Sequence, residues 1–350
     1  MTIDKGIFIK NIYYMLSYAF QILKQEDYKQ VAGEKFDKIH DLFAAILEKG
    51  VSRQLKQGLY REYVPMQEDL SVIRGKLNIN STIRLQGQRK QKLACEFDEF
   101  SEDNLYNQII KVTIYRLICA EDVDFDRKQA LRKLIVFFES VKLIQPDHIA
   151  WNRLTYQRNN RNYELLLNIC YLVLNGMLQT TEEGSYKLLS FSDDHMERLF
   201  EKFILEYYKQ HHHELTPKSA QVKWNLTEEP DQHMIQFLPA MQTDIMLQKG
   251  NRTLIIDTKY YGQSMIHSYS KETLRSAHLY QIFAYVKNFD KNNSGNVSGL
   301  LLYAKTEEEV FPNGKPFAVD GNRIGARTLD LNQNFNEISQ QLDDIATKYF

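Results

Sequence analysis

Apolar residues in the first half of the chain recur mainly at helical spacing. Five helices are predicted from this spacing, over residues 8–23, 37–56, 102–118, a stretch that begins after Asp126, and 162–178. Between about residues 59 and 100 the pattern becomes strand-like, because short apolar runs are separated by turn residues and charges. The first half therefore predicts a mixed α+β domain built around a cluster of helices.

Strands and helices alternate in the second half of the chain. The polar, glycine-containing segment 179–187 separates the two patterns and marks the predicted boundary between domains 1–180 and 181–350. The predicted elements that follow are a strand over 186–191, a helix over 194–210, strands over 220–226 and 233–238, a hairpin within 243–261, a helix over 271–289, a strand over 299–305 and a helix from about 334. This order favours an α/β domain with a mixed central sheet flanked by helices.

The stretch TDIMLQKGNRTLIIDTKYY predicts a buried hairpin that carries charged residues in its strands. Gly250-Asn251 suits a two-residue primed turn, which pairs Lys249 with Arg252. Counting outward from that turn brings Asp244 opposite Asp257, where α-carbons approach to roughly 4.5 Å. Two buried carboxylates that face each other repel, so either one holds a proton or a divalent cation lies between them.

The charged residues of this hairpin suit phosphodiester chemistry. Mg²⁺ prefers one or two carboxylates together with water and substrate phosphate oxygens, a set that Asp244 and Asp257 match. Lys259 lies two residues beyond Asp257 and projects from the same face, where it can orient or deprotonate a metal-bound water or stabilise charge on an attacked phosphate. The alternative is a solvated strand end with a weak surface ion pair.

Two helices offer further polar residues. Gln281 and Tyr285 are four residues apart on one face of a predicted helix, unless that helix simply buries its apolar side and leaves them outside. Glu197 and Glu201 flank the apolar stripe of the helix 194–210, where an ordinary surface pair is the alternative.

Composition narrows the possible partners. The 44 basic and 45 acidic side chains give a formal net charge of −1, so no global basic field attracts nucleic acid.

Three cysteines without metal-binding spacing predict free thiols in a reducing cytoplasm. Charges at Asp4, Lys5 and Lys10 interrupt the apolar N-terminus, which predicts neither a signal peptide nor a membrane span. No GxxxxGK[ST] loop is present, so a Walker-type nucleotide site is not expected in this chain.

The order Asp244, then Asp257-Thr258-Lys259, then Gln281-Ile-Phe-Ala-Tyr285 resembles the PD-(D/E)xK nuclease signature of the RecB-like branch. More narrowly, the chain is similar to the McrC family, the nuclease subunit of the modification-dependent McrBC restriction system. The similar segments are KNIYYMLSYAF (10–20), RGKL (74–77), FDEFSEDNLYNQIIK (97–111), MQTDI, LIIDTKYY, LYQIFAYV and GLLLYAK.

The resemblance implies roles for particular residues. Asp244, Asp257 and the backbone carbonyl of Thr258 are expected to bind Mg²⁺, and Lys259 is expected to be the catalytic lysine. The LFE pattern of related nucleases favours Glu201 as a further acidic residue, while Glu197 stays an open alternative. Thr243 stands where the motif has proline, a position without a chemical role.

The resemblance also implies partners. The chain is expected to join an McrB-like AAA+ GTPase ring through its N-terminal domain, to stimulate GTP hydrolysis and to cut methylated double-stranded DNA. Three alternatives stay open: a non-catalytic adaptor that activates the GTPase, a stand-alone RecB-like repair nuclease, and a component of a sequence-specific restriction enzyme that uses an McrB/McrC-type pair.

Overall fold

The computed structural model describes residues 5–20, 34, 36, 38–157, 160, 162–183, 193–226, 232–260, 265–268, 271–305 and 312–350. In chain order the helices are α1 (Lys5–Ala19), α2 (Ile39–Gln57), α3 (Ile79–Gly87), α4 (Leu105–Cys119), α5 (Phe125–Ile135), α6 (Asn162–Glu183), α7 (Asp193–His211), α8 (Gln232–Ile235), α9 (Ser276–Phe289) and α10 (Phe335–Tyr349). The strands are β1 (Glu62–Leu70), β2 (Lys76–Leu77), β3 (Leu93–Ser101), β4 (Lys218–Val222), β5 (Met241–Lys249), β6 (Arg252–Lys259), β7 (Met265–Ser268), β8 (Lys271–Leu274), β9 (Val297–Lys305), β10 (Phe317–Val319) and β11 (Asn322–Asp330). None of the helices within this part of the chain is both long enough and apolar enough to cross a bilayer.

The chain forms two compact units, Lys38–Leu178 and a unit that combines Met1–Asp37 with Gln179–Phe350. The first 37 residues thus group with the C-terminal segment, whereas the predicted domain 1–180 placed them with the rest of the first half of the chain. The reason is the apolar face of α1, which packs on α7: the Tyr18 ring lies 5.7 Å from Phe203 and 5.6 Å from Tyr207. Asn11 Nδ2 also donates to the carbonyl of Leu331 at 2.6 Å.

The unit Lys38–Leu178 contains a small antiparallel sheet, in the order β1-β3-β2, together with helices. The predicted helices 37–56 and 102–118 are confirmed as α2 and α4. Helix α3 is a correction, because it lies inside 59–100, where only a strand-like pattern was predicted. Asn78 caps it by accepting a hydrogen bond from the Ser81 N–H, and Ile79 and Ile83 stay exposed, so the apolar pattern did not reveal a helix.

The larger unit is organised by a six-stranded mixed sheet in the order β10-β11-β9-β6-β5-β4. Strands β11, β9 and β6 are parallel, while β5 runs antiparallel to both β6 and β4. The prediction of a mixed central sheet accompanied by helices is therefore confirmed. The hairpin register is confirmed as well, because Lys249 pairs with Arg252 and Ile245 with Ile256. Gly250 adopts φ 59°, the left-handed conformation that a primed turn requires.

Several predicted boundaries are wrong. Residues 233–238 do not form a strand, because residues up to Ile235 belong to the short helix α8. The helix predicted over 271–289 begins only at Ser276, since Lys271–Leu274 is strand β8. Helix α6 continues to Glu183, into the predicted boundary segment. The predicted strand 186–191 lies outside the described residues, and β10 and β11 were not predicted.

Helix α9 packs closely against β9 because the strand carries glycine at the contact. A Cβ at Gly299 would lie 2.7 Å from Ile282 Cγ1 and 2.9 Å from Val286 Cγ2. Ile282 and Val286 are fully buried in the core that α9 shares with β6 and β9. The glycine therefore sets how near α9 lies to the sheet.

Replacing this glycine tests the packing of α9. Gly299→Ala is expected to lower the free energy of unfolding by about 1–3 kcal/mol, because the added methyl overpacks a filled core. The double variant Gly299→Ala/Ile282→Ala should lose less than the sum of the two single variants, because the shortened side chain makes room. Denaturant unfolding of the four proteins measures this coupling, and additive losses would contradict the close contact.

Candidate active site

The candidate site lies where β5 and β6 run beyond their paired segment, next to helices α7 and α9. Asp257 and Lys259 occupy alternate positions on β6, so their side chains share one face of the strand. Both are buried, at 1% and 8% exposure. A carboxylate and an ammonium withdrawn this far from water need compensating partners, which makes them candidates for function.

Asp244 connects the two strands through its side chain. The regular pairing of β5 with β6 ends at Ile245 and Ile256, one step before the predicted pair of Asp244 and Asp257. Asp244 Oδ2 instead accepts hydrogen bonds from the Thr258 N–H at 2.6 Å and from Thr258 Oγ1 at 2.8 Å. Burial raises the pKa of Asp244, and the Thr258 bonds and Lys259 only partly oppose this effect.

Asp257 has the most unusual environment of the group. Lys259 Nζ lies 3.1 Å from its Oδ2, but neither carboxyl oxygen accepts a well-aligned hydrogen bond from the described residues. Burial, followed by the charge of Asp244, raises the pKa of Asp257 to about 7 although Lys259 acts in the opposite direction. The fold thus holds a carboxyl group whose oxygens have unused acceptor capacity.

Lys259 is held between carboxylates. Its Nζ also lies 3.5 Å from Glu197 Oε1 on α7. Burial alone would lower the pKa of Lys259, but the charges of Asp257, Asp244 and Glu197 raise it above its ordinary value. Lys259 therefore keeps its charge at neutral pH, which suits charge stabilisation better than proton abstraction.

Both glutamates from the sequence analysis lie near these residues. Glu197 contacts Lys259, as described above. Burial, then the charges of Asp244 and Glu197, raise the pKa of Glu201 to about 7. Glu201 is thus close enough to Asp244 for their charges to interact. Helix α7 packs against both β5 and β6, which brings these side chains to the strand ends.

Helix α9 brings Gln281 and Tyr285 to the same area. Gln281 Nε2 donates to the Tyr285 hydroxyl at 2.9 Å. Burial raises the pKa of Tyr285, and the charges of Asp257 and Asp244 add to this shift. Tyr285 is thus close enough to both aspartates for their charges to act on it, and Gln281 is joined to Tyr285.

Sequence reasoning missed His278, one helical turn before Gln281. His278 is buried, and its Nδ1 lies 3.0 Å from the hydroxyl of Tyr303, which pairs with Lys259 across β6 and β9. Burial, followed by the charges of Lys259 and Arg275, lowers the pKa of His278 to about 4. The neutral imidazole supports the strand next to Lys259. His278 could have been found from the sequence, because it lies three residues before Gln281 and therefore on the same face of the helix.

The position that departs from the nuclease motif has a structural role. Thr243 is fully buried, and its Oγ1 donates to the Ala220 carbonyl at 3.0 Å and accepts from the Ala220 N–H at 3.2 Å. These bonds lie next to a register shift between β4 and β5. Thr243 thus holds the edge strand where the ladder is irregular, just before Asp244.

The donor set fits a hard divalent cation. Asp244 and Asp257 supply carboxylates, and both oxygens of Asp257 lack aligned donors among the described residues. Across the described residues, no three His, Cys, Asp or Glu side chains form a complete metal-binding group. Mg²⁺ is usually bound by one or two carboxylates and completes its shell with water and phosphate oxygens. The two carboxylates therefore fit a hard divalent cation that takes its remaining ligands from outside the protein.

These features define an α+β protein with a mixed six-stranded sheet. Two aspartates and a lysine lie at one end of its antiparallel hairpin, an arrangement consistent with a nuclease-like fold. Residues 7–304 match the family described as McrBC 5-methylcytosine restriction system component. The chain belongs to this family.

Individual proteins are also similar to this chain. The chain is 29% identical over 348 residues to the Escherichia coli K12 protein described as Type IV methyl-directed restriction enzyme EcoKMcrBC, with 97% of each chain covered. A structure of Thermococcus gammatolerans McrB AAA+ hexamers with bound McrC aligns with 98% of this chain and 76% of that chain, at 18% identity and a TM-score of 0.47. A cryo-EM structure of the Thermococcus gammatolerans McrBC complex aligns with 75% of this chain and 65% of that chain, at 17% identity and a TM-score of 0.40.

Proposed function

We propose that this protein is the Mg²⁺-dependent DNA endonuclease subunit of an McrBC-like restriction system, which cuts phosphodiester bonds in complex with an McrB-like AAA+ GTPase. The observation that carries the proposal is the buried Asp257, whose carboxyl oxygens lack aligned donors in the described chain. It lies beside Asp244 and Lys259 in a member of the McrBC family. A buried carboxyl group with unused acceptors destabilises a fold, so its presence in a core indicates that it serves a function.

Each residue has a distinct role in this proposal. Asp244 and Asp257 hold Mg²⁺, and the backbone carbonyl of Thr258 is the third protein ligand. When bound, the ion supplies Lewis-acid polarisation of a phosphate oxygen and lowers the pKa of a bound water. Lys259 presents a permanent positive charge to the negative charge that develops on the attacked phosphate.

The contacts of the two glutamates separate their roles. Glu197 lies 3.5 Å from Lys259 Nζ and fixes the position of this ammonium. Glu201 lies close enough to Asp244 for their charges to interact, and burial and this charge raise its pKa. We therefore assign Glu201 as the acidic residue that completes the site. Gln281 and Tyr285, joined by their hydrogen bond, orient the DNA strand beside Asp257.

The proposed partner is the GTPase ring. The chain has no Walker-type loop, so an energy-dependent reaction requires a second protein. The unit Lys38–Leu178 is the proposed docking element, because it exposes apolar side chains that a partner would cover. Tyr63 and Phe100, exposed at 72% and 56%, face each other across β1 and β3 with ring centroids 5.2 Å apart. Ile79 and Ile83 on α3 are exposed at 65% and 61%.

The proposed substrate is methylated double-stranded DNA, because the Escherichia coli relative is described as methyl-directed. The test combines the full chain with the McrB-like subunit of the same system, Mg²⁺ and GTP, on methylated and unmethylated plasmids. Cleavage restricted to methylated plasmid, lost without GTP or without the partner, is the expected result.

Other outcomes of this assay identify the alternatives. Cleavage without nucleotide or partner would indicate a stand-alone repair nuclease. Equal cleavage of both plasmids at defined sequences would indicate a sequence-specific enzyme. Stimulated GTP hydrolysis without cleavage of any DNA would indicate a non-catalytic adaptor and would overturn the endonuclease proposal.

A further inference from the structure

A basic concavity of about 790 Å³ lies at the other end of the central sheet. Arg252, the first residue of β6, lines it, whereas Asp257 and Lys259 are near the end of the same strand. Five residues of extended strand separate Arg252 from Asp257, which corresponds to about 17 Å. The concavity, here called the basic pocket, is therefore separate from the candidate active site.

The basic pocket gathers positive charge from four different elements. Arg252 comes from β6, Lys315 from the segment before β10, Arg323 from β11 and Lys348 from the last turn of α10. All four side chains are exposed, and none lies within 4.0 Å of a carboxylate of the described residues. These residues come from separate segments of the chain, so only the tertiary structure brings their positive charges together.

The acidic residues of the neighbouring turns are engaged elsewhere. Asp320 Oδ2 lies 2.8 Å from Lys287 Nζ. Asp290 accepts hydrogen bonds from Asn322 Nδ2 at 2.7 Å and from the Gly295 N–H at 2.9 Å. These carboxylates hold the two turns in place and leave the cations of the pocket without neutralisation.

The turns that border the pocket contain glycines and pack closely against each other. Gly295 and Gly321 have φ values of 74° and 83°, a region that glycine adopts readily, and a Cβ at Gly295 would lie 2.9 Å from the Gly321 carbonyl oxygen. A Cβ at Gly325 would lie 3.1 Å from the Tyr349 hydroxyl. The hydroxyl of Tyr349 is thus held against the sheet, within a lining that also contains Ser298.

Lys348 lies close enough to other cations to be repelled by them. Burial, followed by the charges of Arg327 and Lys315, lowers the pKa of Lys348. Burial raises the pKa of Tyr349, and the charges of Arg327 and Arg323 act in the opposite direction. A bound anion would relieve this repulsion, and oxyanions with several acceptor oxygens match a mixture of guanidinium, ammonium and hydroxyl donors.

We propose that the basic pocket is a phosphate-binding site that holds the backbone of a nucleic-acid strand. Its cations stand exposed around an open space with room for more than one phosphate, an arrangement that suits a polymer passing across it. A free nucleotide offers the same phosphate chemistry. The assignment to DNA rests on the proposed function, whereas phosphate binding by the pocket does not.

The test measures binding of the full chain to a fluorescent DNA duplex and to a single strand of equal length, by anisotropy at several salt concentrations. Mg²⁺ is omitted, so the result does not depend on cleavage and a failure here is distinct from a failure of the nuclease proposal. Arg323→Gln/Lys348→Gln removes two charges of the pocket. Arg132→Gln/Lys133→Gln removes the same two residue types from exposed positions on α5 and serves as the control.

The pocket variant is expected to reduce the slope of log affinity against log salt by about 2, because each phosphate contact contributes about 0.9 for duplex DNA. The control should retain the original slope. Arg323→Lys/Lys348→Arg, which keeps both charges, should retain most of it, and thermal unfolding verifies that all variants fold. Unlabelled GTP and inorganic phosphate are then added to displace the fluorescent DNA. The same competition with the pocket variant shows whether the displacement depends on the pocket.

Two results would decide against the proposal. Equal slopes for the wild-type protein and the pocket variant, together with no competition by GTP or phosphate, would overturn the site. Competition that depends on the pocket residues, without any change in the DNA slope, would support a phosphate site and overturn its assignment to a nucleic-acid strand.

Discussion

Asp257→Ala is expected to abolish DNA cleavage by the complex, with a loss of about a thousandfold or more, while stimulation of the partner's GTP hydrolysis persists. The variant removes a proposed Mg²⁺ ligand and with it the stabilisation of charge on the attacked phosphate. It leaves the unit Lys38–Leu178 unchanged. Plasmid cleavage and phosphate release, measured on the same preparations, separate the two activities.

The same variant also distinguishes a functional carboxylate from a structural one. In the metal-free Asp257→Ala protein, Lys259 loses a carboxylate 3.1 Å away but keeps Glu197 as a neighbour. The variant also removes two buried oxygens without aligned donors in the described chain and the charge that repels Asp244, so its stability should stay within about 2 kcal/mol of the wild type. Asp344→Ala, at an exposed carboxylate on α10, is the control and should cut normally. Destabilisation of Asp257→Ala by more than about 2 kcal/mol would indicate a structural ion pair with Lys259.

Lys259→Gln is expected to reduce the rate of cleavage by about 10²–10³-fold with little effect on assembly with the partner. The ammonium stabilises negative charge at the phosphate, and a neutral amide replaces it only weakly. Lys259→Arg keeps the charge but changes its shape and reach, so it should recover only part of the rate. Single-turnover cleavage of a saturating substrate measures the chemical step.

Stability again provides the control for Lys259→Gln. Removing the ammonium leaves Asp257 and Glu197 without a cation that lies 3.1 and 3.5 Å away, so this variant should unfold more easily. Adding Asp257→Asn should restore stability but not cleavage. If the double variant cut DNA at the wild-type rate, neither residue would belong to the active site.

The hairpin shows how far local sequence predicts this fold. The turn Gly250-Asn251 fixes the pairing of Lys249 with Arg252, and strand alternation then carries the register to Ile245 and Ile256. The buried run along β6 follows from its apolar residues, and the helices α2, α4 and α7 follow from long amphipathic patterns. The final helix α10 was predicted to begin near Asn334, whose side chain forms a capping box with Glu337.

Short elements were not predictable in the same way. Helices α3 and α8 are only nine and four residues long, so neither contains enough turns for a periodic apolar pattern. Strand β8 directly precedes α9 and consists of Lys-Glu-Thr-Leu, so its one apolar residue, Leu274, gives no strand-like alternation that would separate it from the helix. Pairing with β7, rather than local preference, makes it a strand.

The sequence by itself determined the register of the hairpin and the candidate residues Asp244, Asp257 and Lys259, because a tight turn and two-residue alternation are local properties of the chain. Only the tertiary structure decided that Glu197 contacts Lys259, that Thr258 donates to Asp244, and that four cations from distant elements share one pocket. Such contacts join residues far apart in the chain or beyond the regular ladder, and their distances follow from how the elements pack.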